Sequence, residues 1–159
     1  MSAYVTLVEA ATYFATCLYT EKWAAATPNE KTAALTMAQR EIDVLPLIGT
    51  KAVNTQLNQF PRAYVVRTDA FNMTSPTVFS TYGTVDLIIP QAVRDATCEE
   101  ALAILKYGDS ERVRLQEQGV TSASRGDLNE TYAPRHGLIS PAARELLRPW
   151  VQGVVNLTT

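Results

Sequence analysis

Residues 90–107 constrain the fold of this chain more than any other stretch. Pro90 opens a run in which Ala92, Val93, Ala96, Ala101, Leu102, Ile104 and Leu105 recur at helical spacing. They fall on more than one face of the helix. A helix that is apolar around much of its girth has to be covered on several sides. The run therefore predicts a central helix inside a helical bundle, ended by Gly108. With 159 residues, the chain is long enough for one domain built around one core.

The helices around this centre are marked by their start signals. Thr6-Leu-Val-Glu9 has capping-box spacing, in which the Thr side chain and the Glu carboxylate each satisfy the other's backbone N–H. A helix over about 7–19 follows, with Leu7, Ala10, Ala11, Phe14, Cys17 and Leu18 on an apolar face. Thr20-Glu-Lys-Trp23 restarts a short turn whose Trp23 plugs the core edge. Thr27-Pro28-Asn29-Glu30 combines a cap, a proline at the first helical position and a completed box. That helix is expected to reach about Leu45, with Ala34, Met37, Ala38, Ile42 and Leu45 buried, and to stop at Pro46 and Gly49. A short helix runs from Asp109 or Ser110 to about Gln118, where Gly119 stops it. Ser140-Pro141 starts a last helix to about Leu147, and Arg148-Pro149-Trp150 ends it.

Residues 46–60 read as an irregular connection, and Phe60-Pro61-Arg62 breaks any helix. From 62 to 89 the texture changes. Ala63-Tyr-Val-Val66 and Val85-Asp-Leu-Ile-Ile89 are β-branched runs separated by a stretch rich in Thr, Ser and Asn. They predict two strands joined by a long loop, of a length that in a compact domain is usually functional or mobile. Residues 120–132 alternate around Arg125-Gly126-Asp127 and predict a β-hairpin. The expected fold is thus mainly α. It is a small bundle of about five helices carrying a hairpin and a strand–loop–strand excursion. We place one domain over 1–150 and a short tail over 151–159.

Charge and composition narrow the function. Lys plus Arg number 14 and Asp plus Glu 16, a net charge of −2, and neither half of the chain is basic. This weakens a reading built on a cationic nucleic-acid surface. Cys17 and Cys98 make no disulfide scaffold and read as buried free thiols in a reducing compartment. One histidine, His136, with two cysteines is a poor set for zinc. No signal peptide and no membrane span are recognisable, which predicts a soluble cytosolic protein.

Catalytic signals are thin. His136 sits between Arg135 and Gly137 with no patterned nucleophile nearby, and reads as a surface-loop residue. No phosphate loop, nucleophile elbow or paired zinc spacing occurs. Asp95 and Glu99 share a helix face and read as solvated acids before they read as a cation site. Arg125-Gly-Asp127 spells an adhesion tripeptide, but its ordinary role is turn chemistry. Single-strand binding requires aromatics interleaved with cations. Tyr64, Phe71, Phe79, Tyr82 and Tyr132, with Arg62 and Arg67, supply only a sparse version of that pattern. Neither an enzyme nor a cofactor or metal is expected.

Several segments together resemble a known family. Tyr4-Val-Thr-Leu-Val-Glu-Ala10 with Tyr13-Phe14, Trp23-Ala-Ala-Ala26, Lys31-Thr-Ala-Ala-Leu35 and Ile42-Asp43 match its first half. Phe60-Pro-Arg62 matches its aromatic-Pro-Arg step, and Ile89-Pro-Gln-Ala-Val-Arg-Asp-Ala-Thr-Cys-Glu-Glu-Ala-Leu-Ala103 its central helix. Gln118-Gly-Val-Thr-Ser122 and Tyr132 fit its hairpin, and Leu146-Leu-Arg-Pro-Trp150 its C-terminal end. The chain resembles the head–tail connector (adaptor or head-completion) proteins of tailed bacteriophages, some of which are labelled DnaT-like single-stranded-DNA-binding proteins. The 62–89 stretch departs from the pattern by its length.

The resemblance implies a structural virion protein of the neck, assembled in the host bacterial cytoplasm. It implies a homo-oligomeric ring, typically dodecameric, beneath the portal protein. A tail-side stopper or tail-terminator protein would meet the other face, and genomic DNA would pass through the channel without specific binding. On this expectation Leu146, Leu147, Arg148, Trp150 and Val151 contact the portal, because that apolar end is otherwise poorly covered. Arg67, Phe71, Phe79, Tyr82, Arg125 and Asp127 face the channel or a neighbouring subunit. The alternative is a single-stranded-DNA-binding replication accessory protein.

Overall fold

Two Thr-x-x-Glu sequences set the first helices. The computed structural model describes residues 3–63, 65–66, 77–78, 89–118, 122–125, 128–131 and 138–152. Helix α1 (Leu7–Phe14) starts at Thr6, whose hydroxyl accepts the Glu9 N–H while the Glu9 carboxylate accepts the Thr6 N–H at 2.8 Å. Those hydrogen bonds hold the Glu9 carboxyl below its ordinary range, and Arg94 adds to the effect. Helix α3 (Pro28–Asp43) repeats the box with Thr27 and Glu30 and places Pro28 in its first turn.

α1 is shorter than the 7–19 expected from the apolar spacing. After Phe14 the bonding tightens to three-residue steps, Thr16 N to Tyr13 O and Cys17 N to Phe14 O. The Thr16 hydroxyl also donates to Tyr13 O at 2.8 Å, capping the same carbonyl. Tyr19 then takes a left-handed φ of 59°, a conformation few bulky residues adopt, and reverses the chain. The restart is a separate helix, α2 (Glu21–Ala25), which makes six α-helices among the described residues where about five were expected. The reversal brings the buried Trp23 against Phe14, ring centroids 4.5 Å apart, with Lys31 Nζ 5.6 Å from the Trp23 ring. Along α3, Ala34, Leu35, Ala38 and Ile42 are buried, whereas Met37 of the expected stripe is exposed and Leu45 lies beyond the helix, half-buried.

The connection after α3 is more ordered than its sequence suggests. β1 (Thr50–Lys51) pairs antiparallel with β2 (Arg62–Ala63), Thr50 opposite Ala63 and Lys51 opposite Arg62. Gly49 supplies the left-handed turn residue, φ 77°, just before β1. The Arg62 guanidinium closes the loop. It donates to the carbonyl oxygens of Leu47 (3.2 Å), Ile48 (2.8 Å), Gly49 (2.6 Å) and Gln59 (3.5 Å), and to Gln59 Oε1 (2.7 Å). Beside it, the buried Tyr4 hydroxyl donates to Asp43 and accepts the Phe60 N–H at 3.0 Å. Tyr4 and Phe60 also meet edge to face, centroids 5.7 Å apart.

β3 (Val65–Val66) pairs antiparallel with β4 (Thr77–Val78). β4 thus falls within the stretch expected to be the long loop of the excursion. Residues 85–88 of the expected strand lie outside the described residues. The hairpin is present as β5 (Ser122–Arg125) and β6 (Leu128–Thr131), with Arg125 opposite Leu128.

Helix α4 (Gln91–Tyr107) is the centre of the fold, as its composition requires. Val93, Ala96, Thr97, Cys98, Glu100, Ala101, Leu102 and Ala103 are all buried. Small residues on several faces let α3 on one side and α6 (Pro141–Leu147) on the other approach closely. α5 (Glu111–Glu117) follows from Tyr107 through a turn closed by Ser110 N to Tyr107 O at 2.9 Å. Ser140 caps α6, accepting the Ala143 N–H at 3.1 Å. A short 3-10 turn, Arg148–Trp150, ends the described helical structure. The fold is mainly helical, and no helix among the described residues is long and apolar enough to cross a membrane.

Candidate functional site

The C-terminal residues expected to contact a portal divide sharply. Leu147 is 0% exposed and belongs to the chain's own core, packed with Ala143 and α4 neighbours. It is not a free anchor. The periodicity that makes α6 apolar on one face is the periodicity that turns Leu147 inward. Leu146, Trp150 and Val151 are half-buried against the same core, and Arg148 is exposed, 3.6 Å from Glu145.

Backbone contacts tie this end down further. Ile48 N donates to Trp150 O at 2.8 Å, Gln152 N to Pro46 O at 2.7 Å, and Leu47 bridges to Val151. The end is therefore better covered than the sequence alone implied. The boundary placed at 150/151 falls inside a joined stretch of backbone.

Of the expected channel-facing or neighbour-facing set, Arg67, Phe71, Phe79, Tyr82 and Asp127 lie outside the described residues. Arg125 lies in β5. His136, Tyr64 and Tyr132 are likewise outside the described residues.

A groove of about 390 Å³ runs between α1 and the first half of α4, lined by Val5, Val8, Tyr13, Arg94, Asp95 and Cys98 among others. Its polar groups are engaged within the chain. Arg94 pairs with Glu9, and Asp95 accepts from Gln91 Nε2 at 2.8 Å. Glu99 accepts the Tyr13 hydroxyl at 2.7 Å. Asp95 and Glu99, side by side on the helix, are thus drawn to different partners. No group of three or more potential metal ligands occurs among the described residues. Cys98 is buried, and burial first, then the nearby acids, pushes its thiol up to about 12. A thiol held that far above the usual range is a poor nucleophile at neutral pH, while Cys17 is only half-buried.

The cations sort into two classes. Arg62 sits among carbonyls, and Lys51 Nζ donates to Gln56 O and Leu57 O. Arg94 pairs with Glu9, and Arg144 donates to Leu138 O. These are internal fasteners, so Arg62 is not available to a phosphate.

A different arrangement occurs where α4 passes into α5. Tyr107 is 55% exposed, Lys106 precedes it, and exposed Arg114 follows one turn into α5. The ammonium and guanidinium there have no partner among the described residues. Asp109 in the intervening turn and Glu111 at the start of α5 temper the local charge. An exposed ring with a lysine before it and an exposed arginine in the next helix is the minimal set for stacking a base while contacting its phosphates. Its sign in the sequence is Lys106-Tyr107-Gly108, but a search for aromatics on strands passes over a tyrosine at a helix end.

The apolar surface has its own pattern. Leu7, Val8, Leu18 and Tyr19 are exposed on α1 and the turn after it, Leu18 at 81% and Tyr19 at 75%. Only Ala10 and Phe14 of α1 are buried.

Compared with known families, residues 1–158 match the family described as "Putative DnaT-like ssDNA binding protein". The chain belongs to this family. The match takes in every element of the fold, from the cap of α1 through the hairpin to the C-terminal stretch. No curated protein and no solved structure matches the chain.

Proposed function

We propose that this member of the DnaT-like family binds single-stranded DNA without catalysing a reaction on it, with the α4–α5 end as part of its contact surface. The family match over residues 1–158 carries this reading. The exposed Tyr107 between Lys106 and Arg114 supports it as a place for a base to stack and a backbone to run. A net charge of −2 implies modest affinity that is strong only at low salt.

The test is binding of a labelled oligo-dT strand at two salt concentrations. We expect salt-sensitive binding, with Tyr107→Ala weakening it about tenfold, the scale of one base–aromatic stack. Lys106→Ala with Arg114→Ala should lower the salt slope by about 0.7 for each phosphate no longer neutralised. Absence of binding by the parent protein at low salt ends the reading. Unchanged binding by Tyr107→Ala moves the surface elsewhere.

A second reading is favoured by the apolar surface on α1 and its turn, which suits burial by another protein. In it the chain is a head–tail connector in a virion neck. It forms a ring of identical copies, typically twelve, beneath a portal protein and above a tail-side stopper or terminator. Genomic DNA passes through it without specific binding. Removing residues 148–159 does not test this cleanly, because it also removes the hydrogen bonds of Trp150 and Gln152 to the 46–48 segment. Arg148→Glu is the better variant, since Arg148 is exposed and its ion pair with Glu145 is a surface pair worth little. A phage carrying it should yield heads without tails while the purified protein keeps its thermal midpoint. Normal tailed particles remove Arg148 from the docking surface.

A further inference from the structure

We propose that Glu41 and Glu100 form a proton-sharing clamp that holds the start of α6 on the α3–α4 pair and loosens when the proton leaves. Glu100, in the middle of α4, is 0% exposed. Its two oxygens accept the backbone N–H groups of Ile139 (2.7 Å) and Ser140 (2.8 Å), the residues leading into α6. Glu41 of α3 is hydrogen-bonded to the same carboxyl. Two carboxyl groups in such contact cannot both be ionised cheaply, so one proton is held between them. With that proton in place, three separate elements meet at one carboxyl: α3 through Glu41, α4 through Glu100, and the α6 entry through two N–H groups. Without it, like charges oppose each other at the point where α6 is attached.

Among the described neighbours, other polar groups are turned to partners of their own. On α4, Glu99 is turned to Tyr13, and the buried Thr97 hydroxyl donates to Val93 O at 2.7 Å. On α6, Arg144 donates to Leu138 O. Arg135 and His136 precede the α6 entry in sequence and lie outside the described residues, so the test includes His136 explicitly.

Burial first, and Glu41 second, push the Glu100 carboxyl from 4.5 up to about 7, against the opposite pull of the Ser140 and Ile139 N–H groups. The unfolded chain ionises this group near its ordinary value. The clamp's contribution is therefore complete below about pH 4.5, is lost as the pH climbs to about 7, and is flat above that. The folding equilibrium constant should fall about a hundredfold across that window.

The experiment measures thermal and urea unfolding between pH 4.5 and 8.5 for the parent protein, Glu41→Gln and His136→Ala. The Glu41→Gln side chain keeps a donor toward Glu100 but removes the opposing carboxyl, so that variant's fall should be smaller than the parent's, the share due to burial remaining. His136→Ala should keep it. Asp43, also raised by burial, titrates in all three and cancels in the comparison. Amide exchange at Ser140 and Ala143, read at pH 8, should be slower in Glu41→Gln than in the parent. A flat parent profile, a fall of parental size in Glu41→Gln, or one that disappears in His136→Ala overturns the clamp. Equal exchange at Ser140 and Ala143 overturns its hold on α6.

Discussion

Arg62→Ala will cost about 3 kcal/mol of stability, on the scale of removing a half-buried charge that makes several charge-assisted hydrogen bonds. The guanidinium touches four carbonyl oxygens and one side-chain amide oxygen, from Leu47, Ile48, Gly49 and Gln59. These groups flank the segment that β1 and β2 close. Alanine would leave carbonyls that β1 does not pair facing inward with no donor. It would also free β2 from the segment it closes, and with it the direction in which the chain enters the 62–89 excursion. Arg62→Lys should recover only part of the loss, since an ammonium cannot reproduce a planar fork of five N–H donors. Urea unfolding measures both variants. A loss below about 0.5 kcal/mol for Arg62→Ala, the range of an ordinary surface change, means that the loop is held by other contacts.

Leu147→Ala should cost a similar amount, about 3 kcal/mol, as do other fully buried leucines that leave a cavity. Leu147 packs between α4 and the 3-10 turn that positions Trp150. Its loss should also weaken the strand-like contact of Leu47 with Val151. Leu146→Ala, one residue earlier and half-buried, should cost less than half as much. This pair of variants separates folding from docking at the C-terminal end. A Leu147→Ala protein with parental stability would put that side chain on a surface, where a partner could take it. Equal costs for the two would deny the facing of α6 described above.

Much of the helical frame is legible from local pattern. Thr6 with Glu9, Thr27 with Pro28 and Glu30, and Ser140 with Pro141 start helices where their spacing says they should. Each signal closes within four residues, so it needs no information from elsewhere in the chain. The hairpin is legible for the same reason. Local pattern misleads where a distant contact decides the outcome. Leu7, Ala11 and Leu18 look like one buried face with Ala10 and Phe14. Yet the chain turns at Tyr19 to bring Trp23 onto Phe14, and that turn ends the helix early. Arg62 looks like a cation available to phosphate, and only the folded loop shows the carbonyls that claim it.

The candidate surfaces follow the same division. A lysine beside a tyrosine at a helix end can be seen in the sequence, but its exposure depends on α4 outrunning the helices that cover its middle. The pairing of Glu41 with Glu100 has no local sign at all, because 59 residues separate them in the chain. What the amino-acid order determined on its own was where helices begin, which helix lies at the centre and that the chain is nearly neutral. Tertiary structure alone decided which apolar residues stay outside, which cations are claimed as internal fasteners and which carboxyls are forced together. Those properties depend on which side chains meet across the fold, and packing sets that after the local pattern has done its part.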